Sequence, residues 1–124
     1  MPRVLNDPAC AENERDIVRL AAQSLADGKL VAFPTETVYG IAADARSESA
    51  VARLLSIKGR RPGQPLTLAV KSVEEAMEFC PDVSAVAQRL GRRGWPGPLT
   101  LVLKGSHQRS TLSLLPAGVR QAVA

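Results

Sequence analysis

The chain has 124 residues and a formal net charge of +4, and 45% of its residues are hydrophobic. This length suits one small domain with its own core, and the hydrophobic content excludes a disordered chain. Aromatic residues make up only 3%, which argues against the stacking surfaces of sequence-specific single-strand RNA readers. The chain shows no signal-peptide core and no apolar run of membrane-spanning length, so we expect no membrane contact and a reducing cytoplasm.

The first helix is predicted from its two ends. Residues 1–12 are expected to form an irregular N-terminal arm. Asn13, with Asp16 three residues on, has the pattern of a helix cap, and Asp27-Gly28 has the pattern of a helix end. Residues 13–124 are then expected to form one domain that opens with this helix.

Two strands and a second helix are predicted next. The apolar run 30–33 predicts a buried strand, and the short run 41–45 predicts a second strand or an extended return of the chain. Residues 47–57 predict a helix capped by Ser47. Its buried stripe is expected to consist of Val51, Leu54 and Leu55.

The alternation of predicted strands and helices continues after this helix. Residues 66–70 predict a strand, and Ser72-Val73-Glu74-Glu75 has the spacing of a capping box that opens a helix to about Cys80. A further helix is predicted to begin at Asp82 or Ser84 and to run through Leu90.

The last third of the chain holds one more predicted strand. It covers residues 99–103, and a polar loop is predicted over 105–110. Residues 112–124 are mostly apolar and compatible with a helix. Strands that alternate with helices indicate an α/β or mixed-sheet domain.

The loop after the second predicted helix concentrates positive charge. Lys58 and Arg60 would point to opposite sides of an extended loop, but Gly59 between them allows the backbone to turn. Two cations that face one point form a site for a phosphate or carboxylate group, and Arg61 adds a third charge. The alternative is a solvated basic loop.

Polar side chains follow the first predicted strand. Pro34 cannot continue a ladder, and Thr35, Thr37 and Tyr39 place hydroxyl groups in the loop that comes next. Loops after the carboxyl end of a strand are where α/β proteins bind ligands. The alternative is a strand end in which Thr serves β-propensity and Tyr39 packs in the core.

Two further features have both a structural and a functional interpretation. Trp95-Pro96-Gly97-Pro98 is a rigid turn that either places Thr100 near a pocket or only packs its Trp. Arg89, Arg92 and Arg93 lie at a predicted helix end, where cations suit the helix dipole, and an RNA contact is the secondary interpretation.

The cysteines and the histidine show no metal-binding or disulfide spacing. Cys10, Cys80 and His107 are far apart in the sequence. We therefore expect no protein-bound metal and no disulfide framework.

Three segments together resemble the YrdC-like family of threonylcarbamoyl-AMP synthases, in the YrdC/YciO/Sua superfamily. They are residues 28–40, Lys58-Gly59-Arg60 with Pro65-Leu66, and Trp95-Pro96-Gly97-Pro98-Leu99-Thr100. The resemblance covers roughly residues 13 to 105, and three matches in order are more specific than any one motif.

The resemblance implies an α/β fold with a twisted mixed sheet, flanking helices and a positively charged concave pocket. It also implies an enzyme that condenses L-threonine, bicarbonate and ATP, with magnesium, into threonylcarbamoyl-AMP and releases pyrophosphate. A downstream transferase then passes the threonylcarbamoyl group to adenosine in certain tRNAs. Some family members bind tRNA or double-stranded RNA.

The resemblance also implies roles for individual residues. Lys58 and Arg60 match the catalytic Lys-x-Arg pair that faces ATP, and Gln64 falls where related synthases often have an Asn facing the nucleotide. Thr37 matches the family threonine that contacts substrate L-threonine, and Thr35 and Tyr39 are assigned to the same binding site. Thr67 and Thr100 are further pocket candidates, and a weaker RNA surface is assigned to Arg61, Arg89, Arg92 and Arg93.

The sequence departs from the family pattern in three ways. Ala69 lies where some synthases have a His near threonine, and residues 65–68 are similar to the YciO branch. The later Arg-x-Pro strand and Ser-x-Asn loop of the family are absent. We therefore expect about the N-terminal two-thirds of such a domain, with an unpaired sheet edge. The alternatives to a synthase are an RNA-binding module of the same fold and an inactive fragment.

Overall fold

The structure, a computed structural model, describes residues 13–61, 64–104 and 108–123. Within these ranges the elements, in chain order, are α1 (Glu14–Ala26), β1 (Val31–Phe33), β2 (Gly40–Ala42), α2 (Glu48–Lys58), α3 (Val73–Phe79), α4 (Ala85–Gly94), a 3₁₀ helix (Thr111–Leu114) and α5 (Ala117–Val123). The expected arm 1–12 with Cys10, and His107 in the predicted polar loop, lie outside the described residues.

Helix α1 begins and ends where its local sequence predicts. The Asn13 side-chain oxygen accepts a hydrogen bond from the Asp16 amide at 3.1 Å, which satisfies a donor that the helix itself leaves free. At the other end, Gly28 adopts a φ of +74°, and the Lys29 amide donates to the Ser24 carbonyl at 2.9 Å. The left-handed conformation of Gly28 therefore ends the helix.

The next three helices have serine caps. Ser47 accepts from the Ala50 amide at 3.3 Å, and Ser72 accepts from the Glu75 amide at 3.2 Å. Of the two predicted starts of α4, the structure shows the one at Ser84, whose side-chain oxygen accepts a hydrogen bond from the Ala87 amide. Local capping chemistry therefore sets all three helix starts.

Helix α4 continues beyond the predicted end at Leu90. It runs through Gly91 to Gly94, although glycine is a poor helix former. A Cβ at Gly91 would lie 2.9 Å from Cγ2 of Val73, so only glycine lets α3 approach α4 this closely. Packing between helices outweighs local propensity here.

The two predicted strands of the first half pair with each other. Strand β1 runs antiparallel to β2, with Val31 opposite Ala42 and Phe33 opposite Gly40. The structure therefore confirms a strand within 30–33 and the strand alternative within 41–45. Residues 34–39 form the loop that joins them.

The predicted strands 66–70 and 99–103 are wrong as hydrogen-bonded strands. Within the described residues the sheet has only β1 and β2, and neither segment joins a ladder. Side-chain burial still alternates along both segments, as the apolar pattern predicts. A strand also needs a neighbour for its backbone groups, and no described segment lies beside these two in register. The α/β class is confirmed, but the expected mixed sheet is a two-stranded antiparallel one in this part of the chain.

The core joins α2, in the middle of the chain, to the last described helix. Val51 of α2 packs with Leu115 and Val119, which flank the start of α5, and Val119 is only 1% exposed. Half-buried aliphatic residues such as Leu66 and Leu68 pack against this cluster. The apolar segment 112–124 thus becomes a 3₁₀ turn and α5, and it covers α2. No described helix is both long and apolar enough to cross a membrane.

Candidate functional site

The basic loop predicted as an anion site begins at the C-terminus of α2. Lys58 is the last residue of α2, and Gly59 caps the helix in the left-handed conformation, with φ 56° and ψ 33°. Lys58 and Arg60 line the same open cleft of about 590 Å³, together with Gln64 and Pro65. Lys58 and Arg60 thus reach one cleft across the turn at Gly59, and their role as an anion site stays a prediction.

Hydrogen bonds within the loop restrain the Arg60 side chain and the backbone of Arg61. The Arg60 guanidinium donates through Nη1 to the Pro65 carbonyl at 2.6 Å. The Arg61 amide donates to Oε1 of Gln64 at 3.3 Å, and the Gln64 amide donates back to the Arg61 carbonyl at 3.2 Å. A guanidinium held at one corner presents its other N–H groups in a defined direction. This arrangement favours the oxygens of a phosphate or carboxylate.

Helix α5 anchors both ends of this loop. On one side, Val119 of α5 packs against Val51 of α2, the helix that ends at Lys58. On the other side, the Leu66 amide donates to the Ala122 carbonyl of α5 at 2.6 Å. The cleft therefore depends on a contact between segments that are far apart in the sequence.

The predicted L-threonine ligands lie in the loop 34–39 between β1 and β2. Thr35, Thr37 and Tyr39 are all exposed. Tyr39 is 79% exposed, so the alternative in which it packs in the core is wrong. The described residues that line the basic cleft include none of these three.

The Trp95-Pro96-Gly97-Pro98 turn is a packed structural element. Trp95 donates from Nε1 to the Leu99 carbonyl at 2.7 Å, and its ring lies against Gly91 of α4. These contacts support the structural interpretation of the turn. Thr100 and Thr67, the further pocket candidates, are exposed and are not among the described residues lining the cleft.

The predicted RNA surface includes a cation that is paired with a carboxylate. Arg92 forms an ion pair with Glu74 of α3, with Nη1 and Oε1 3.3 Å apart. Arg92 and Arg93 occupy the last turn of α4, where they complement the helix dipole. Arg61 and Arg89 are exposed. The ion pair supports the structural interpretation for Arg92.

Three titratable side chains, Asp44, Arg46 and Cys80, have shifted pKa values, and each shift has a local cause. The Arg46 guanidinium donates to Asp44 at 3.1 and 2.9 Å, which lowers the pKa of that carboxyl group. The same hydrogen bonds raise the pKa of Arg46. Burial raises the pKa of the Cys80 thiol at the end of α3, which favours the protonated form.

Two contributors to the geometry were missed by sequence reasoning. The Pro65 carbonyl holds Arg60, and the Arg53 guanidinium donates to the Gly28 carbonyl, which joins α2 to the segment entering β1. Both acceptors are backbone oxygens, for which the sequence carries no signal. Across the described ranges, no group of three His, Cys, Asp or Glu side chains is placed to hold a metal ion.

The fold and the cleft define a class of protein: an α/β domain in which a helix end and a glycine turn place two cationic side chains in one open cleft. A family model for Sua5, yciO and yrdC proteins, described as "Telomere recombination", matches residues 23–124. The chain belongs to this family.

Curated relatives are longer than this chain. It is 47% identical over 89 residues to the threonylcarbamoyl-AMP synthase of Pyrococcus abyssi, covering 72% of this chain and 26% of that protein. It is 37% identical over 98 residues to the Bacillus subtilis synthase, covering 79% and 26% respectively. For the Halorhodospira halophila synthase the identity is 40% over 89 residues, covering 72% and 47%. The chain therefore spans about a quarter to a half of the length of these relatives.

Solved structures of P. abyssi Sua5 share the fold. A double variant superposes with a TM-score of 0.75 at 40% identity, covering 90% of this chain and 32% of that chain. The complex of P. abyssi Sua5 with L-threonine superposes with a TM-score of 0.74 at 40% identity, covering 89% and 31%. The similarity extends over nearly all of the present chain.

Proposed function

We propose that this chain carries part of the active site of a threonylcarbamoyl-AMP synthase, which joins L-threonine, bicarbonate and ATP. The observation that carries the proposal is the cleft in which Lys58, Arg60 and Gln64 meet. Family membership and the similarity to named synthases support it. The L-threonine complex of P. abyssi Sua5 supports L-threonine as the amino-acid substrate.

The proposed chemistry places negative charge where the cleft has positive charge. The threonine amine and bicarbonate combine into a carbamate with loss of water. A carbamate oxygen then bonds to the α-phosphorus of ATP, and the bond from that phosphorus to the β-phosphate oxygen breaks, so that pyrophosphate leaves. Lys58 and Arg60 stabilise the charge that builds on the phosphate oxygens, and Gln64 orients the nucleotide. ATP enters as its magnesium complex, in which the ion neutralises the leaving pyrophosphate.

The product of this reaction calls for a second enzyme. A mixed carbamate–phosphate anhydride is an activated acyl group, and a downstream transferase would pass the threonylcarbamoyl group to adenosine in tRNA. If tRNA or double-stranded RNA contacts this chain, the exposed Arg61, Arg89 and Arg93 are the residues we assign to that contact, because Arg92 is already paired with Glu74.

The test combines nucleotide binding with turnover. We would titrate the 124-residue chain with magnesium ATP and measure pyrophosphate release with and without L-threonine and bicarbonate. Lys58→Ala and Arg60→Ala are expected to weaken ATP binding by about tenfold or more, since each removes a charge-assisted contact. Lys71→Ala is the matched control, because it removes the same charge from an exposed position outside the cleft.

The outcomes separate the proposal from its alternatives. Weaker binding in both cleft variants with an unchanged Lys71→Ala supports the assignment. Wild-type affinity in both cleft variants, or equal loss in all three, would refute it because the cleft would then have no special role. A wild-type chain that binds RNA in a salt-dependent manner and shows no affinity for ATP would favour the RNA-binding alternative.

A further inference from the structure

The loop 34–39 is fixed at its base by the strands that it joins. Phe33 and Gly40 are paired in the antiparallel ladder. The Phe33 ring also covers Gly40, since a Cβ on Gly40 would lie 3.2 Å from Cζ of Phe33. With both ends held, the conformation of residues 34–39 depends on hydrogen bonds within the loop.

The Thr35 hydroxyl group makes those hydrogen bonds. Its oxygen accepts from the Thr37 amide at 3.3 Å and from the Val38 amide at 3.2 Å. Its proton is donated to the Val38 carbonyl. A hydroxyl group offers one donor and two acceptor lone pairs, so the loop uses the full hydrogen-bonding capacity of Thr35.

The Thr37 hydroxyl group is in a different situation. It lies 3.5 Å from the Thr35 hydroxyl oxygen, at the outer limit of a hydrogen bond. The proton and both lone pairs of the Thr35 hydroxyl group already take part in shorter hydrogen bonds. Thr37 is exposed, and its hydroxyl group retains both donor and acceptor capacity for a ligand.

We infer that Thr35 is a positioning residue that orders the loop and is not a direct ligand of L-threonine. Thr37, which the family resemblance matches to the contact with L-threonine, keeps that role. The identity of the ligand rests on the proposed function. The ordering role of Thr35 stands on the loop geometry and can be tested without any ligand.

The first measurement is made on the free protein. In ¹⁵N-labelled chain, amide hydrogen exchange at Thr37 and Val38 reports whether these groups have an acceptor. Thr35→Val removes the hydroxyl group and keeps the side-chain shape, so exchange at both amides is expected to rise severalfold. Thr35→Ser keeps the hydroxyl group, and exchange is expected to stay near wild type. Thr37→Val leaves the Thr35 hydrogen bonds in place and is expected to leave the Val38 amide protected.

The second measurement is L-threonine binding by the same proteins. Thr35→Val is expected to weaken L-threonine affinity about tenfold through the loss of loop order, and Thr35→Ser is expected to restore it. Thr37→Val is expected to weaken L-threonine affinity while the loop amides remain protected. Affinity for magnesium ATP is expected to be unchanged in all three variants, because the loop residues do not line the described cleft.

The two measurements distinguish failure of the inference from failure of the proposed function. Unchanged amide exchange in Thr35→Val would overturn the positioning role. L-threonine binding that is lost in Thr35→Val with undisturbed amides would also overturn it, since that result marks a direct ligand. A wild-type chain with no affinity for L-threonine would refute the substrate assignment, and the amide exchange would still decide the role of Thr35.

Discussion

The left-handed turn at Gly59 gives a prediction with a calculable size. The residue has a φ of 56°, and no atom of the described residues lies within 4 Å of the position that a Cβ would occupy. Among the described residues the substitution Gly59→Ala therefore meets no steric contact, and its expected cost is conformational. A left-handed backbone costs a side-chain-bearing residue about 1–2 kcal/mol. The lower entropy of the unfolded alanine chain offsets about 0.4–1 kcal/mol of this.

The expected net loss in the free energy of unfolding is about 1 kcal/mol, or roughly fivefold in the unfolding equilibrium constant. Urea unfolding followed by far-ultraviolet circular dichroism measures it. Gly59→Asn is the matched control, because asparagine adopts left-handed backbone more readily, and it is expected to fall between wild type and Gly59→Ala.

The same turn aims Lys58 and Arg60 at one cleft, so Gly59→Ala is also expected to weaken magnesium ATP binding more than Gly59→Asn does. A Gly59→Ala variant as stable as wild type would refute the conformational argument. A destabilised variant with unchanged ATP affinity would show that the turn does not position the cations.

Two further predictions concern the core and an ion pair. Val119→Ala is expected to destabilise the chain by about 2 kcal/mol in urea unfolding, because Val119 is 1% exposed. The same change at Val102, which is 97% exposed, is the control and is expected to cost less than about 0.5 kcal/mol. Equal effects of the two substitutions would contradict the assigned core. Arg46 lowers the pKa of Asp44, so this pair stabilises the fold above about pH 4 and its contribution is lost as the pH falls through the lowered pKa. Asp44→Asn is therefore expected to be less stable than wild type at pH 7 and to match it at the acid end, and a stability gap that persists below pH 2 would argue against the linkage.

The helices could be predicted because their boundaries are set by neighbouring residues. A cap such as Ser72 bonds an amide only three residues away, and Gly28 closes α1 with partners within the same turn. These interactions form whenever the local chain is helical, whatever the rest of the protein does. The exception is α4, whose extension through Gly91 depends on the approach of Val73.

The candidate site could be predicted in part. The residues Lys58, Gly59 and Arg60 and the turn between them were accessible from the sequence, since glycine between two cations has a local conformational consequence. The hydrogen bond from Arg60 to the Pro65 carbonyl could not be predicted, because every residue has a backbone carbonyl and the residue type does not show which one accepts. The hydrogen bonds by which Thr35 orders its loop were not predicted either, since their partners are backbone groups of Thr37 and Val38.

The sequence by itself determined the starts of the capped helices, the first strand, the positive charge of the loop and the resemblance to the family. The tertiary structure decided whether apolar alternating segments became strands, and residues 66–70 and 99–103 did not join the described sheet. It also decided that α5 would hold α2 and Leu66 on the two sides of the cleft. The physical reason is the same in both cases: a cap or a glycine turn is satisfied within a few residues, whereas a ladder or an anchored cleft requires a partner that arrives from a distant part of the chain.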